Sequence, residues 1–382
     1  MANYDYEIVN GRKIRVRPKE TVSEIDKNGY FRRQPNHFTT PFGDGENDLK
    51  AEGNKRYRLV WAKLCHWSNR AAIVRELEGL EDQISVNMVE HAPHEKNLGW
   101  EYVYNENNID PVLGDQFLSE AYYRADDDYQ GRTIVPALID TTTGKVVNND
   151  YNWLTTYFEV NFRPWHKKGA PELYPVELRE EIDKMNLWLF DNINNAVYRS
   201  SFSRSNEGHF DGVNTFYAAM DRLEKRLETN RFLFGDYVTD SDIRLYGTLA
   251  RLDIRYTAQL GETKRPLYTY KNLWGYAKEL WEIPAFAHHT DFAAIIRQGR
   301  IEGEEDGFRA STHYDLALPK IDWDAQWKVS TERAYLSSDP THPIYLGNNR
   351  RFDIDPTWYD LGAESPKKEE KETPPSCGCC CG

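Results

Sequence analysis

Between residue 57 and about residue 158 the hydrophobic period of the chain changes several times, and that order constrains the fold more than any other feature. Tyr57-Arg58-Leu59-Val60-Trp61 has strand character, whereas Trp67, Ala71, Val74 and Leu77 recur at the three- and four-residue spacing of one helical face. The pattern predicts strands over 57–61 and 84–89 around a helix over 67–77. A long insertion over 91–132 follows, then a strand over 133–139, a hairpin strand over 145–147 after Thr143-Gly144, and a helix from about Asp150.

Strand–helix–strand followed by a hairpin and a helix is the order of a thioredoxin-like α/β layer. After Pro164 and Pro171 the pattern changes to long amphipathic helices, one of them striped by Val213, Phe216, Tyr217, Met220, Leu223 and Leu227. Another opens at Thr239-Asp240-Ser241-Asp242, where Thr239 can cap and Asp242 can reach back, and two more are expected over 272–281 and 285–297. The expected organisation is an N-terminal extension over 1–50, a thioredoxin-like domain over 51–163 and an all-helical domain over 164–300. A C-terminal extension over 301–363, packed back through Trp323, Trp327, Tyr335, Tyr345 and Trp358, and a charged, disordered Cys-rich tail over 364–382 complete it.

A chain of 382 residues with 40% apolar content can build real cores. Its net charge of −13 and the lack of a basic stripe argue against nucleic acid as a partner. No apolar run reaches the ~18 residues of a membrane span, and residues 1–17 lack the apolar core of a signal peptide, so the expectation is a soluble cytoplasmic protein without membrane association. One cysteine outside the last six residues also argues against a disulfide-stapled fold.

That cysteine, Cys65, lies between the first strand and the first helix. Unpaired N–H groups and aligned peptide dipoles at a helix start favour negative charge, hence the thiolate, and Lys63 and Arg70 add positive charge nearby in sequence. The competing reading is a buried, inert cysteine.

Several ordered motifs carry a resemblance: Cys65-His66-Trp67-Ser68-Asn69-Arg70, Gly99-Trp100, Gly131-Arg132-Thr133-Ile134-Val135-Pro136, Ile193-Asn194-Asn195-Ala196-Val197-Tyr198, and Asp240-Ser241-Asp242-Ile243-Arg244-Leu245. Over most of residues 30–297 the chain resembles the xi class of the glutathione-transferase superfamily, the glutathionyl-hydroquinone reductases. The resemblance implies an α/β thioredoxin-like N-terminal domain followed by an all-α domain, a homodimer, and a catalytic cysteine at Cys65. That cysteine would take glutathione from a glutathionyl-hydroquinone as a mixed disulfide, which a second glutathione resolves. Such exchanges need a thiolate and a good leaving group, with no metal or other cofactor.

By the same resemblance Val135, before a cis-proline at Pro136, would pair its backbone with the cysteinyl part of the thiol. Trp100 would stand beside the tripeptide and Arg132 near a carboxylate. Asp150-Tyr151 occupies the place of a Glu-Ser pair that holds the γ-glutamyl group, so glutathione or a smaller γ-glutamyl thiol is the expected cosubstrate. Tyr198 and Tyr256 match tyrosines that face the quinol oxygen. Taken alone, Pro136 could end an edge strand, Trp100 could be core, Arg132 a surface ion pair, Asp150 a helix cap, and both tyrosines helix packing. His66 stands where many relatives have proline, and a solvent-facing side chain with no role is a simpler expectation for it than a proton shuttle.

Other function classes remain: a glutathione-conjugating transferase, or a non-catalytic thiol- or metal-binding protein on the same scaffold. Cys377-Gly378-Cys379-Cys380-Cys381-Gly382 is dense enough in thiols to hold a soft metal ion or to accept lipid, although no metal site is assigned and the C-terminal prenyl pattern is absent.

Overall fold

The computed structural model describes residues 4–17, 23–92, 97–261, 265–297 and 322–337. It opens with a hairpin, β1 (Tyr6–Val9) against β2 (Arg12–Arg15), where only an extended arm was expected. The signal was the Asn10-Gly11 pair, whose φ values of 52° and 78° are those of a type I′ turn.

Strand β3 (Tyr57–Trp61) is buried at all five positions, as a strand covered on both faces must be. It runs parallel to β4 (Ile84–Met88), and that pairing needs a crossover, which α1 (His66–Leu77) supplies. Two short strands, β5 (Glu90–His91) and β6 (Trp100–Glu101), then pair with each other. Within the expected insertion lies α2 (Leu118–Ala125), which packs on β8 (Lys145–Asn148), the partner of β7 (Ala137–Asp140). The sheet order is β4-β3-β7-β8. Strand β7 begins four residues later than expected, and Pro136, which has no N–H to give to a ladder, stands just before it.

Alternate residues of the central strands enter different cores, as a period of two requires. Leu59 and Leu138 pack with Ile73, Val74 and Leu77 of α1 and with Leu154 and Phe158 of α3 (Leu154–Val160). Val60, Ala137 and Ile139 pack with Leu118, Ala121 and Tyr122 of α2. The sheet is therefore a middle layer with helices on both faces.

The second half is helical: α4 (Arg179–Leu189), α5 (Ala196–Phe202), α6 (Asn206–Arg226) and α7 (Asp240–Arg251) precede α8 (Thr257–Gln259) and α9 (Lys271–Trp281). Helices α10 (Pro284–His288) and α11 (Phe292–Arg297) replace the single helix expected over 285–297. At the start of α7 the Asp242 carboxylate accepts from the Thr239 N–H at 2.8 Å, the reach-back read from the sequence. Gly212 of α6 lies so close to α5 that a Cβ there would come within 2.4 Å of the Ser200 backbone nitrogen.

Of the C-terminal aromatics, Trp327 is buried against Tyr246, Trp274 and Phe292, and Trp323 packs on the same core. Tyr335 is 77% exposed. Tyr345, Trp358 and the terminal cysteines lie outside the described residues.

Candidate active site

The first candidate side chain follows directly from the β3–α1 turn. Cys65 is the residue capping α1, with extended backbone (φ −86°, ψ 117°) and no capping bond from its own side chain. Its thiol points instead at the Val135 carbonyl, Sγ to O 3.8 Å. The Val135-Pro136 peptide is cis, and the Val135 N–H has no partner among the described residues. Thiol and unpaired backbone thus meet at one point.

The turn itself is held from the helical layer. Arg251, fully buried, donates from Nε to the Leu64 carbonyl at 2.7 Å and from a terminal nitrogen to the Lys63 carbonyl at 2.9 Å. Arg70, also buried, donates to the Tyr151 carbonyl, and burial is the main cause holding its guanidinium down at about 9. Both arginines lie within Coulombic reach of the Cys65 thiol. Lys63, by contrast, pairs with Asp291 at 2.9 Å.

Aromatic rings wall the other side. Trp67 packs on Tyr151, Phe190 and Tyr198 at 4.8, 5.5 and 5.9 Å between centroids. Phe190 and Tyr256 sit on two π-helical turns, Phe190–Asn194 after α4 and Leu252–Tyr256 after α7, a local geometry frequent at functional sites. The Tyr198 and Tyr256 rings lie 6.4 Å apart, and burial pushes the Tyr256 phenol well above its ordinary range. From the arm, the Arg33 guanidinium lies 4.3 Å over Tyr198 and 4.7 Å over Trp67, with Nε donating to Asn195 at 2.9 Å.

The thiol-site residues proposed from sequence fall into three places. Cys65, Trp100, Val135 and Tyr151 share one buried apolar cluster. Asp150 and Tyr151 also line a cleft of about 540 Å³ together with Arg33, Gln34, Asn36 and Asn195, and Cys65 does not line it. Asp150 accepts from Asn36 at 2.8 Å and from the Asn152 N–H at 3.0 Å, so its carboxylate is engaged by the arm and by its own turn. Arg132 stands apart, forked onto Glu24 at 2.9 Å through both nitrogens, while Gln34 bonds its backbone. The Trp100 N–H donates to the Thr133 carbonyl at 3.1 Å and its ring stacks on His91.

His66 departs from expectation. It is 2% exposed rather than solvent-facing, with Nδ1 3.0 Å from the Thr248 hydroxyl and its ring stacked 5.5 Å from Tyr198. Burial first, then Arg251 and Arg70, holds it well below the ordinary histidine range, so the ring is neutral at physiological pH. Sequence reasoning also passed over Arg33, Phe190 and Arg251; a charged residue at the end of the otherwise buried α7 was the available signal for the last. The Asp240–Leu245 motif turns out to join layers: Arg244 pairs with Asp240 at 2.6 Å and donates to the Asn152 carbonyl at 2.6 Å.

Residues 197–279 match the family model described as the glutathione S-transferase C-terminal domain. The glutathionyl-hydroquinone reductase YqjG of Escherichia coli is 32% identical over 240 residues, covering 63% of this chain and 73% of that protein. The crystal structure of the glutathione-S-transferase Xi from Phanerochaete chrysosporium superposes with a TM-score of 0.64 at 32% identity, covering 71% of this chain and 87% of that one. The glutathione-bound structure of YqjG gives 0.62 at 31%, over 71% and 88%. A thioredoxin-like layer with a cysteine at its first helix start, an all-helical second half and these relatives agree: the chain belongs to the xi-class glutathione transferases, the family of the glutathionyl-hydroquinone reductases.

Proposed function

We propose that the protein is a glutathione-dependent reductase that removes glutathione from glutathionyl-hydroquinones through a mixed disulfide on Cys65. The observation that supports this most directly is the placement of the Cys65 thiol at the start of α1, 3.8 Å from the Val135 carbonyl, beside a wall containing Trp67, Tyr198 and Tyr256.

In the first step the thiolate attacks the sulfur on the quinol in its keto tautomer. A Cys65–glutathione S–S bond forms, the ring C–S bond breaks, and its electron pair passes into the conjugated carbonyl, leaving a quinolate that takes a proton from water. In the second step a glutathione thiolate attacks the mixed disulfide, forming oxidised glutathione and releasing Cys65 as thiolate. The quinol conjugate is reduced and two glutathionyl groups are oxidised to one disulfide, so no other redox partner is needed.

Each side chain has a part in this reading. The Val135 N–H and carbonyl pair with the cysteinyl segment of the thiol, and Asp150 takes the γ-glutamyl ammonium in place of Asn36. Arg132 would exchange Glu24 for a ligand carboxylate, with Trp100 packing at the tripeptide. Tyr198 and Tyr256 meet the quinol oxygen. The protein works as a homodimer through its helical layer in the cytoplasm, and sedimentation should give twice the monomer mass.

The deciding experiment treats the full-length protein with a glutathionyl-hydroquinone in the absence of free thiol and maps the modified peptide. The expected product is a glutathione disulfide on the Cys65 peptide with one equivalent of free quinol. Quinol release with no adduct on Cys65 would reject the mechanism, and in a separate assay with free glutathione and an added electrophile, thioether formation would instead favour a conjugating transferase.

A further inference from the structure

Asn194, in the motif that precedes Tyr198, has no part in the chemistry above, yet it is buried and points its amide at the site. Its side-chain N–H groups donate to the Arg244 carbonyl at 3.0 Å and to the Thr248 hydroxyl at 2.8 Å. Thr248 therefore accepts from Asn194, and its own proton needs an acceptor. Among the described residues the one given to it is Nδ1 of His66, 3.0 Å away. If Nδ1 carried a proton, the Thr248 proton would be stranded in a fully buried place, which costs more than the alternative. The chain Asn194 to Thr248 to Nδ1 thus fixes the imidazole proton on Nε2.

That Nε2–H is buried without a hydrogen-bond partner. Buried donors in folded proteins are satisfied with few exceptions, and an exception next to a nucleophile asks for an occupant. The ring lies one residue from Cys65, 4.3 Å from the Trp67 ring, 5.5 Å from Tyr198 and 6.0 Å from Tyr256. Of these covers Tyr198 is only half-buried, so its side is the one from which an aromatic substrate can reach the imidazole.

We infer that His66, set as the Nε2–H tautomer by the Asn194–Thr248 relay, donates a hydrogen bond to the ring oxygen of the quinol as the C–S bond breaks. The inference rests on the function proposed above. Electrons leaving the C–S bond accumulate on that oxygen, and a fixed neutral N–H in a dry site stabilises the growing charge without giving up its proton. Its neutrality follows from burial among Arg251, Arg70, Arg33 and Arg255. A proline at this position offers no such donor.

The test compares His66→Phe, which keeps a flat ring without a donor, with His66→Gln, whose amide N–H falls near Nε2, and His66→Asn, whose amide falls near Nδ1. Each is assayed as full-length protein on a series of glutathionyl-hydroquinones of graded quinol acidity. Loss of one such donor should lower kcat by about 10²-fold for His66→Phe and His66→Asn, most for the least acidic quinols, with His66→Gln close to wild type. A loss equal for every quinol, or equal activity in the Gln and Asn variants, overturns the inference. On the wild-type protein, ¹⁵N-histidine NMR should show His66 as the Nε2–H tautomer; an Nδ1–H tautomer overturns it whatever the rates. A wild-type protein with the Nε2–H tautomer that is inert toward every quinol overturns the proposed function instead, and removes the substrate from this donor.

Discussion

Arg251, at the last turn of α7, donates to the carbonyl of Leu64, the residue before the candidate nucleophile, at 2.7 Å. With its bond to Lys63 and its links to Gly247 and Asn69, it fastens the β3–α1 turn to the helical layer. The geometry around Cys65 therefore depends on packing between the two halves of the chain. Arg251→Met should lower unfolding free energy by about 2 kcal/mol, because the part-buried Leu64 and Lys63 carbonyls lose their donor, and should lower kcat more than it raises KM. Urea unfolding and steady-state kinetics check this; unchanged kinetics in a destabilised variant would show that the turn holds its own shape.

Cys65→Ala should reduce quinol release to the rate in buffer while leaving stability within about 1 kcal/mol, since the thiol makes a single weak bond to Val135. The terminal thiols could act in its place, so the comparison belongs in protein whose Cys377, Cys379, Cys380 and Cys381 are serine. Near wild-type turnover in that background would remove Cys65 from the mechanism.

Asp150 accepts from Asn36 and from the Asn152 N–H, and in the proposed complex from an ammonium. A charge-assisted bond of this kind contributes about 1.5–3 kcal/mol. Asp150→Asn should therefore raise half-saturation by glutathione roughly one to two decades with little change in saturated rate. Tyr151→Ser should shift preference toward glutathione over γ-glutamylcysteine or cysteine. Unchanged saturation curves for all three thiols would leave Asp150 as a turn residue only.

Asp253 lies in the π-helical turn that carries Tyr256, and burial pushes its carboxyl up to about 6 against the pull of the Leu267 and Tyr268 N–H groups. The unfolded value is near ~3.9, so between the two the folded state binds more protons and stability falls as pH rises, by about 3 kcal/mol in all. Asp253→Asn does not titrate. Its stability relative to wild type should improve between pH 4 and pH 7.5, as urea unfolding at both would show, and a constant difference would contradict the assignment.

The α/β order and most helices were legible because periodicity and capping are local. Leu59 and Val60 face opposite cores because adjacent strand residues must, and Asp242 reaches Thr239 across three residues. The position of Cys65 was legible for the same reason, since a strand followed at once by a helix defines the turn between them. The short helix α2 was hidden inside the segment over 91–132, whose polar loops mask eight residues of helical pattern.

What the sequence left open depends on contacts between distant residues. Arg251 meets Leu64 across 187 positions, His66 meets Thr248 across 182, and Arg132 meets Glu24 across 108. No local pattern encodes whether a histidine after a cysteine faces water or a helix, or whether an arginine will find a ligand or a glutamate of the same chain. Those outcomes follow from which surfaces the helical half and the N-terminal arm bring against the sheet, because burial and partner together decide the charge and hydrogen bonding of each group.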